Sequence, residues 1–344
     1  MLETDHDIVE AAEPQRFNGI DLMKFLCAIL VFLIHFPLFT PPLGGELSVL
    51  ENYINFGLQQ YLCRLAVPFY FVCSGFFLFR KMPNQNLNID RVKNYCFKLV
   101  RLIGMWSILL YVGGQEHLWY LGATIVAITF LSICLYRRVN LKWLLVIACI
   151  FYALGLLGDS YFGLVEPIVS EGTLKHIHGI YKFFVQTPRN GFYMGYIFVL
   201  MGYVFAQGKI KLKAQTSLIA FIISMMGLLA EIFLLKYNDI PADYNMYICL
   251  LPSVFFLFAF VSSIPLKNRP IFVKLRTVSV LVYFLHVLVN SIVVFGMDLL
   301  HAVFEVDIHP LLFFISLPAT LFIAFGIEWL SHKEKFTWIT WFFA

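Results

Sequence analysis

The chain has 344 residues, 60% of them hydrophobic and 13% charged, with a mean hydropathy of +0.80 and a formal net charge of +4. That much apolar surface cannot be hidden inside one soluble core, which excludes an ordinary water-soluble globule and predicts an all-α integral membrane protein. The small positive excess sits in loops that sort to one side of a membrane, so it gives no reason to expect nucleic-acid binding.

Residues 1–19 read as a cytoplasmic leader, acidic through Glu3, Asp5, Asp7, Glu10 and Glu13. Ten apolar stretches follow, each long enough to cross hydrocarbon about 30 Å thick, which takes about 20 helical residues. They are predicted near 20–40, 56–79, 97–113, 118–136, 142–158, 190–207, 216–235, 245–264, 277–297 and 310–330. With the N-terminus inside, 19 of the 25 Lys and Arg fall in cytoplasmic segments. Lys175, Lys182, Arg189 and Lys236 fall outside, and Lys24 and Arg64 lie within spans. The positive-inside rule then predicts a multi-pass plasma-membrane protein with both termini in the cytoplasm. One transmembrane domain covers 20–330, and 331–344 form a cytoplasmic tail, with no linker and no internal repeat.

The first span carries Asp21, Lys24 and His35 on an otherwise apolar helix, too long and too polar at its far end for a cleavable signal. Ionisable groups in hydrocarbon are costly and normally face a cavity or a partner. Asp21 and Lys24 are three apart, the spacing of an ordinary helical pair near the inner surface. His35 lies roughly 16 Å further along the axis, in the outer third of the membrane. An imidazole titrating near pH 6.5 is the natural general base at neutrality.

Arg64 enters from the other direction, roughly 12 Å below the outer surface in the second span. If the first two helices pack together, His35 and Arg64 meet or share a polar cavity. Ser74-Gly75 in the same span suits close helix packing. At the cytoplasmic mouth of the third span, Arg91, Lys93, Lys98 and Arg101 cluster, and ordinary positive-inside topology explains them as well as a ligand does. Gln115-Glu116-His117-Leu118-Trp119-Tyr120 reads as an outer-surface segment with interfacial aromatics.

The seven cysteines fall in or beside spans without CxxC or Cys/His spacing, so they read as small apolar packing groups and no metal site is expected. The connection 159–189, which includes Asp159, Glu166, Glu171, His176 and His178, is the candidate cover of an outer vestibule. Glu231 and His286 sit near the middle of the seventh and ninth spans, where each needs a partner or a water-filled pocket.

Several of these residues fall in motifs that resemble the membrane-bound acyltransferase-3 proteins, in particular the Gram-positive type seen as the membrane half of vancomycin-resistance serine racemases. The first span is similar in Ile20-Asp21, a basic residue at 24, Ala28, Val31 and His35. Arg64-Leu65-Ala66-Val67-Pro68-Phe69-Tyr70-Phe71-Val72-Cys73-Ser74-Gly75-Phe76-Phe77-Leu78 resembles the second-helix signature. His117-Leu118-Trp119-Tyr120-Leu121 resembles the motif before the fourth helix, and Ser279, Tyr283 and His286 a late Ser-xxx-Tyr-xx-His pattern.

The resemblance implies a ten-helix enzyme that moves an acyl group, typically acetyl, from cytoplasmic acyl-CoA to an acceptor at the membrane, often a surface polysaccharide or envelope precursor. It implies His35 and the basic residue at 24 as a functional pair, with Lys24 in place of the usual arginine and its bidentate fork. Lys98 and Arg101 match basic positions suited to the CoA phosphates. Acyl transfer needs a base for the acceptor hydroxyl and a cation or hydrogen-bond donor for the oxyanion. His35 fits the first role and Arg64 the second. Lys24, Ser74, His117, Trp119, Glu231, Tyr283 and His286 are pocket candidates. No GxSxG elbow offers a serine nucleophile. An oligomer is compatible with this reading. Two other functions compete: a transporter or flippase for a small amino acid or lipid-linked substrate, and a non-catalytic partner in glycan assembly. Retention of both His35 and Arg64 counts against the scaffold, which has no need for buried charge.

Overall fold

The computed structural model describes residues 17–80, 82, 87–110, 116–167 and 188–344. The acidic leader through residue 16, Gln115 and most of the 159–189 connection, with Glu171, His176 and His178, lie outside these residues.

Apolar runs without water must satisfy their backbone groups internally, and the described residues accordingly form helices and no strand. In chain order these are α1 (Asn18–His35), α2 (Val49–Gly57), α3 (Ala66–Phe79), α4 (Ile89–Leu109), α5 (Trp119–Tyr136) and α6 (Leu141–Leu157). They continue with α7 (Tyr196–Ala206), α8 (Ala214–Tyr237), α9 (Leu250–Ser263), α10 (Pro270–Phe304) and α11 (Leu312–Ser331). Among the described residues, six rods are long and apolar enough to cross a membrane, among them Val49–Phe79, in which a π-helical turn (Leu58–Leu62) and a 3-10 turn (Cys63–Leu65) join α2 to α3.

Each predicted stretch falls on a helix, but several ends move. α1 stops at His35, not at 40, because Phe36 is extended and Pro37 follows. α4 starts at Ile89, where the Asn88 side chain accepts the Arg91 amide, so part of the expected 80–95 loop is helical. α9 starts at Leu250, not 245. The preceding residues are pulled out of the helix by two buried carboxylates: Asp159 accepts the Asn245 and Met246 amides, and Glu231 accepts those of Ile248 and Cys249. α10 is longer than expected at both ends and opens on Pro270, where a missing amide costs nothing.

α3 packs most extensively on α7, α8 on α9, and α10 on both α1 and α11. The α3–α7 seam is held close by reciprocal glycines. A Cβ on Gly75 would stand 2.2 Å from the Val199 carbonyl oxygen, and one on Gly202 2.1 Å from that of Val72. The packing expected of Ser74-Gly75 is therefore present. A second apolar cluster joins α4 to α10, where Trp106 stacks on Phe284 at 4.7 Å.

Candidate active site

Two cavities lie in series inside the bundle. The first, about 240 Å³, is lined by Lys24 from α1, Tyr70, Cys73 and Ser74 from α3, Tyr95 and Lys98 from α4, and Ser279 from α10. The second, about 60 Å³, holds His35, Arg64, His117, Trp119, Arg189 and Asn245. Tyr120 and Tyr283 line both, their rings 5.9 Å apart, so these two side chains stand at the neck between the cavities. Lys24 and His35 share α1 at a separation of roughly 16 Å, which sets the two cavities at different depths.

In the first cavity two lysines that are 74 positions apart in sequence face one space. Lys24 makes no ion pair with Asp21, and one oxygen of the buried Asp21 carboxyl has no hydrogen-bond partner. The helical pair expected from the i,i+3 spacing is therefore not formed. The Tyr70 hydroxyl donates to the Lys24 carbonyl at 2.6 Å and fixes α1 against α3, while Ser74 and Tyr120 share a hydroxyl contact at 3.1 Å. Arg101 does not line this cavity. It donates to the Ala344 carbonyl at 2.6 Å and lies over the Trp341 ring, part of a C-terminal 3-10 segment (Glu334–Phe342) whose neighbour Phe343 closes one side of the cavity. The two basic residues matched on the third span thus part company: Lys98 is in the cavity and Arg101 is beside it.

In the second cavity Arg64 is fixed from two sides. Its Nε donates to Gln60 Oε1 at 2.9 Å, with a second contact from Nη2, and its Nη1 donates to Asn245 Oδ1 at 2.7 Å. Asn245 Nδ2 in turn donates to Asp159 Oδ2 at 3.0 Å. Asp159 is fully buried and also accepts the Ser160 hydroxyl, so the guanidinium charge is balanced at one remove rather than by a contact ion pair. That leaves Arg64 fixed in direction without a carboxylate competing for its open face.

His35, His117 and His286 converge beside it. Ring centroids lie 5.2 Å apart for His35 and His286, 5.0 Å for His117 and His286, and 6.5 Å for His35 and His117. His35 is the exposed member and faces the second cavity, whereas His117 and His286 are buried. His286 Nδ1 lies 3.1 Å from the Val282 carbonyl, an acceptor only, which assigns a neutral ring's proton to Nδ1. Its buried Nε2 is then a bare lone pair without a hydrogen-bond partner, and His117 Nε2 also lacks one. No group of three or more His, Cys, Asp or Glu among the described residues is arranged to hold a metal ion.

Glu231, expected as a pocket residue, lines neither cavity. Its carboxylate is occupied by the Tyr161 hydroxyl at 2.7 Å and by the Ile248 and Cys249 amides at 2.7 and 2.8 Å, which makes it the anchor of the turn that leads into α9. Gln60, Asp159 and Asn245 belong to the Arg64 network but were not singled out as site residues. Asn245 is 181 positions from Arg64, and nothing local in the sequence marks it.

Residues 17–116 match the acyltransferase domain of the acyltransferase-3 type. An amino-acid racemase of Enterococcus faecalis is 29% identical over 293 residues, covering 77% of this chain and 38% of the relative. A second from that organism is 29% identical over 310 residues, covering 81% and 42%. The serine/alanine racemase of Enterococcus gallinarum is 28% identical over 272 residues, covering 71% and 37%. The chain spans about two-fifths of the length of these relatives. No solved structure matches it. Together with the motifs, these matches relate the chain to the acyltransferase-3 membrane proteins and to the enterococcal amino-acid racemases.

Proposed function

We propose that the protein is a membrane-bound O-acyltransferase that moves a short acyl group, acetyl in the simplest case, from cytoplasmic acyl-CoA to a hydroxyl of a surface glycan or envelope precursor. The observation that carries this reading is the order of the cavities: a lysine-lined space, a neck formed by Tyr120 and Tyr283, then a chamber holding His35 and Arg64. In the topology implied by the loop charges, the lysine end faces the cytoplasm.

A space of about 240 Å³ suits the acyl-bearing arm of the donor and leaves its nucleotide at the mouth. Lys24 and Lys98 supply cationic donors for its polar groups. In the second chamber the acceptor oxygen attacks the thioester carbonyl as His35 takes its proton, and Arg64 faces the oxyanion that forms. Collapse of this intermediate breaks the carbon–sulfur bond. The leaving thiolate takes the proton from the His35 imidazolium, so the imidazole is restored and the products are an ester and free CoA. His286 and His117 flank the base, their ring centroids 5.2 and 6.5 Å from that of His35.

Purified protein in nanodiscs with radiolabelled acetyl-CoA tests the proposal. Release of CoA with transfer of label to a glycan hydroxyl, lost in His35→Ala with acetyl-CoA binding preserved, is the expected result. A carrier fits the polar path between the cavities too, and uptake of an amino acid or lipid-linked substrate without CoA release would replace the enzyme reading.

A further inference from the structure

Outside the two cavities, the surface of α8 carries a groove with its own cation. It runs between α8 and the α2 rod at its π-helical turn, encloses about 410 Å³, and is lined by Tyr53, Phe56, Gln60, Ile232, Phe233 and Lys236, among others. A second depression of about 500 Å³ adjoins it and shares Tyr53, Phe56 and Lys236. The walls are aromatic and aliphatic. Leu229, Phe233, Leu234 and Tyr237 are all exposed on the outward side of α8, the side that meets lipid if α8 crosses the membrane.

Lys236 is what distinguishes this groove from a lipid-facing seam. Its ammonium lies 3.5 Å from the Phe56 ring centroid and 5.3 Å from that of Tyr53, and no ion pair holds it among the described residues. A lysine in the last turn of a helix is ordinary, since it complements the helix dipole. One held over aromatic rings at the head of an apolar groove presents a positive charge and a hydrocarbon slot together. The ligand complementary to both is a lipid with a phosphate head: the charge takes the phosphate and the groove takes the chain. Lys236 and Tyr237, at the end of α8, stand at the level where a head group and an interfacial tyrosine belong.

The inner end of the groove reaches the candidate active site. Gln60 lines the groove and its Oε1 accepts from Arg64, which lines the second cavity. The π-helical turn puts Gln60 there. Such turns break the regular i→i+4 pattern and are frequent at functional sites. Gln59, its neighbour, donates to the Leu33 and Ile34 carbonyls beside His35, so the same turn fixes the end of α1.

We propose that this groove binds a phosphate-bearing lipid and is the lateral way in for a lipid-linked acceptor, whose hydroxyl-bearing head reaches past Gln60 to the His35 and Arg64 chamber. The second half of this statement rests on the acyl-transfer reading above; the first half does not.

Binding is measured with the full chain in delipidated maltoside detergent, by native mass spectrometry and by displacement of a fluorescent polyprenyl phosphate. Lys236→Gln should weaken binding by about tenfold or more, Lys236→Arg should keep it, and Phe233→Asp should abolish it by charging the slot. A melting curve confirms that each variant is folded. Millimolar inorganic phosphate should not displace the lipid, because it lacks the chain. Equal binding by wild type and Lys236→Gln, or displacement by inorganic phosphate alone, would overturn the site. In a transfer assay, Lys236→Gln should raise the KM for a polyprenyl-linked acceptor and leave CoA release to water unchanged. Lipid binding that depends on Lys236 in a protein without acyl transfer would remove the enzyme reading and keep the lipid site.

Discussion

Tyr283 donates its hydroxyl to the backbone carbonyl of His117 at 2.8 Å while its ring lies edge-on to the His117 imidazole at 5.6 Å. One α10 side chain thereby fixes the turn that carries His117 and forms half of the neck between the cavities. Tyr283→Phe keeps the ring and removes the bond. We expect a loss of about 1 kcal/mol of stability and a larger fall in kcat than in KM for the acyl donor, read from thermal melts and steady-state rates. An unchanged kcat would make the contact purely structural.

For the base, His35→Ala should lower acetyl transfer by about 100-fold or more with little change in acetyl-CoA affinity, since general-base catalysis contributes roughly 10²–10⁴. His286→Ala should cost less and alter the pH profile of the remaining activity, because it does not line the chamber but shares the cluster. Full transfer by a folded His35→Ala protein would remove the base.

The two basic residues of α4 separate cleanly. Lys98→Gln should weaken acetyl-CoA binding by about tenfold, one charge-assisted contact being worth roughly 1.5–3 kcal/mol. Arg101→Gln should leave donor affinity within a factor of about two and loosen the C-terminal segment, seen as faster proteolysis or hydrogen exchange across 334–344. Calorimetry of both variants decides the assignment, and equal losses would bring Arg101 back to the donor.

Glu231→Ala removes the acceptor for the Tyr161 hydroxyl and two backbone amides in a buried turn. Stability should fall by roughly 3 kcal/mol or more, without a specific loss of donor binding in the folded fraction. Selective loss of donor binding at an unchanged melting temperature would restore it to the site.

Beyond α10, Asp307 ties down the loop that follows α1: its carboxylate accepts the Leu43 amide at 2.7 Å and the His309 amide at 2.9 Å. The His309 amide first, and then the Leu43 amide, hold the carboxyl below its ordinary value of 3.8. A lowered folded value means the tie is fully present above that ordinary value and is lost as pH falls through the lower one. Wild type should therefore melt above Asp307→Ala at pH 6 and approach it below about pH 3. A constant gap down to pH 2 would show that the carboxylate's charge is not what holds the loop.

How far the sequence could be read depended on whether a feature was local. The helices were legible because an apolar run long enough to cross a membrane announces itself, and the motifs of the first two spans singled out Lys24, His35 and Arg64, the last of which lies in the 3-10 turn before α3. The start of α9 was not legible, since it is set by Asp159 and Glu231, carboxylates from other parts of the chain. Of the two alternatives open for Glu231, a partner or a pocket, the sequence could not choose for the same reason. A carboxylate at membrane depth does need a partner, but sequence cannot tell backbone amides from a substrate. Lys98 and Arg101 were equal on paper because they lie three apart on one helix, and the fold turns only one of them into the cavity.

The reciprocal glycines between α3 and α7 bear on what can move. Tyr70, Cys73 and Ser74 of α3 wall the first cavity and Val67 of the same helix walls the second. With the Gly75 and Gly202 backbones pressed against their neighbours' carbonyls, that shared wall has no clearance to slide past its partner. A motion that carried α3 past α7 would have to part this seam on every cycle. Substrate exchange that leaves the seam shut passes a wall of α3 that stays still against α7, whatever the other helices do.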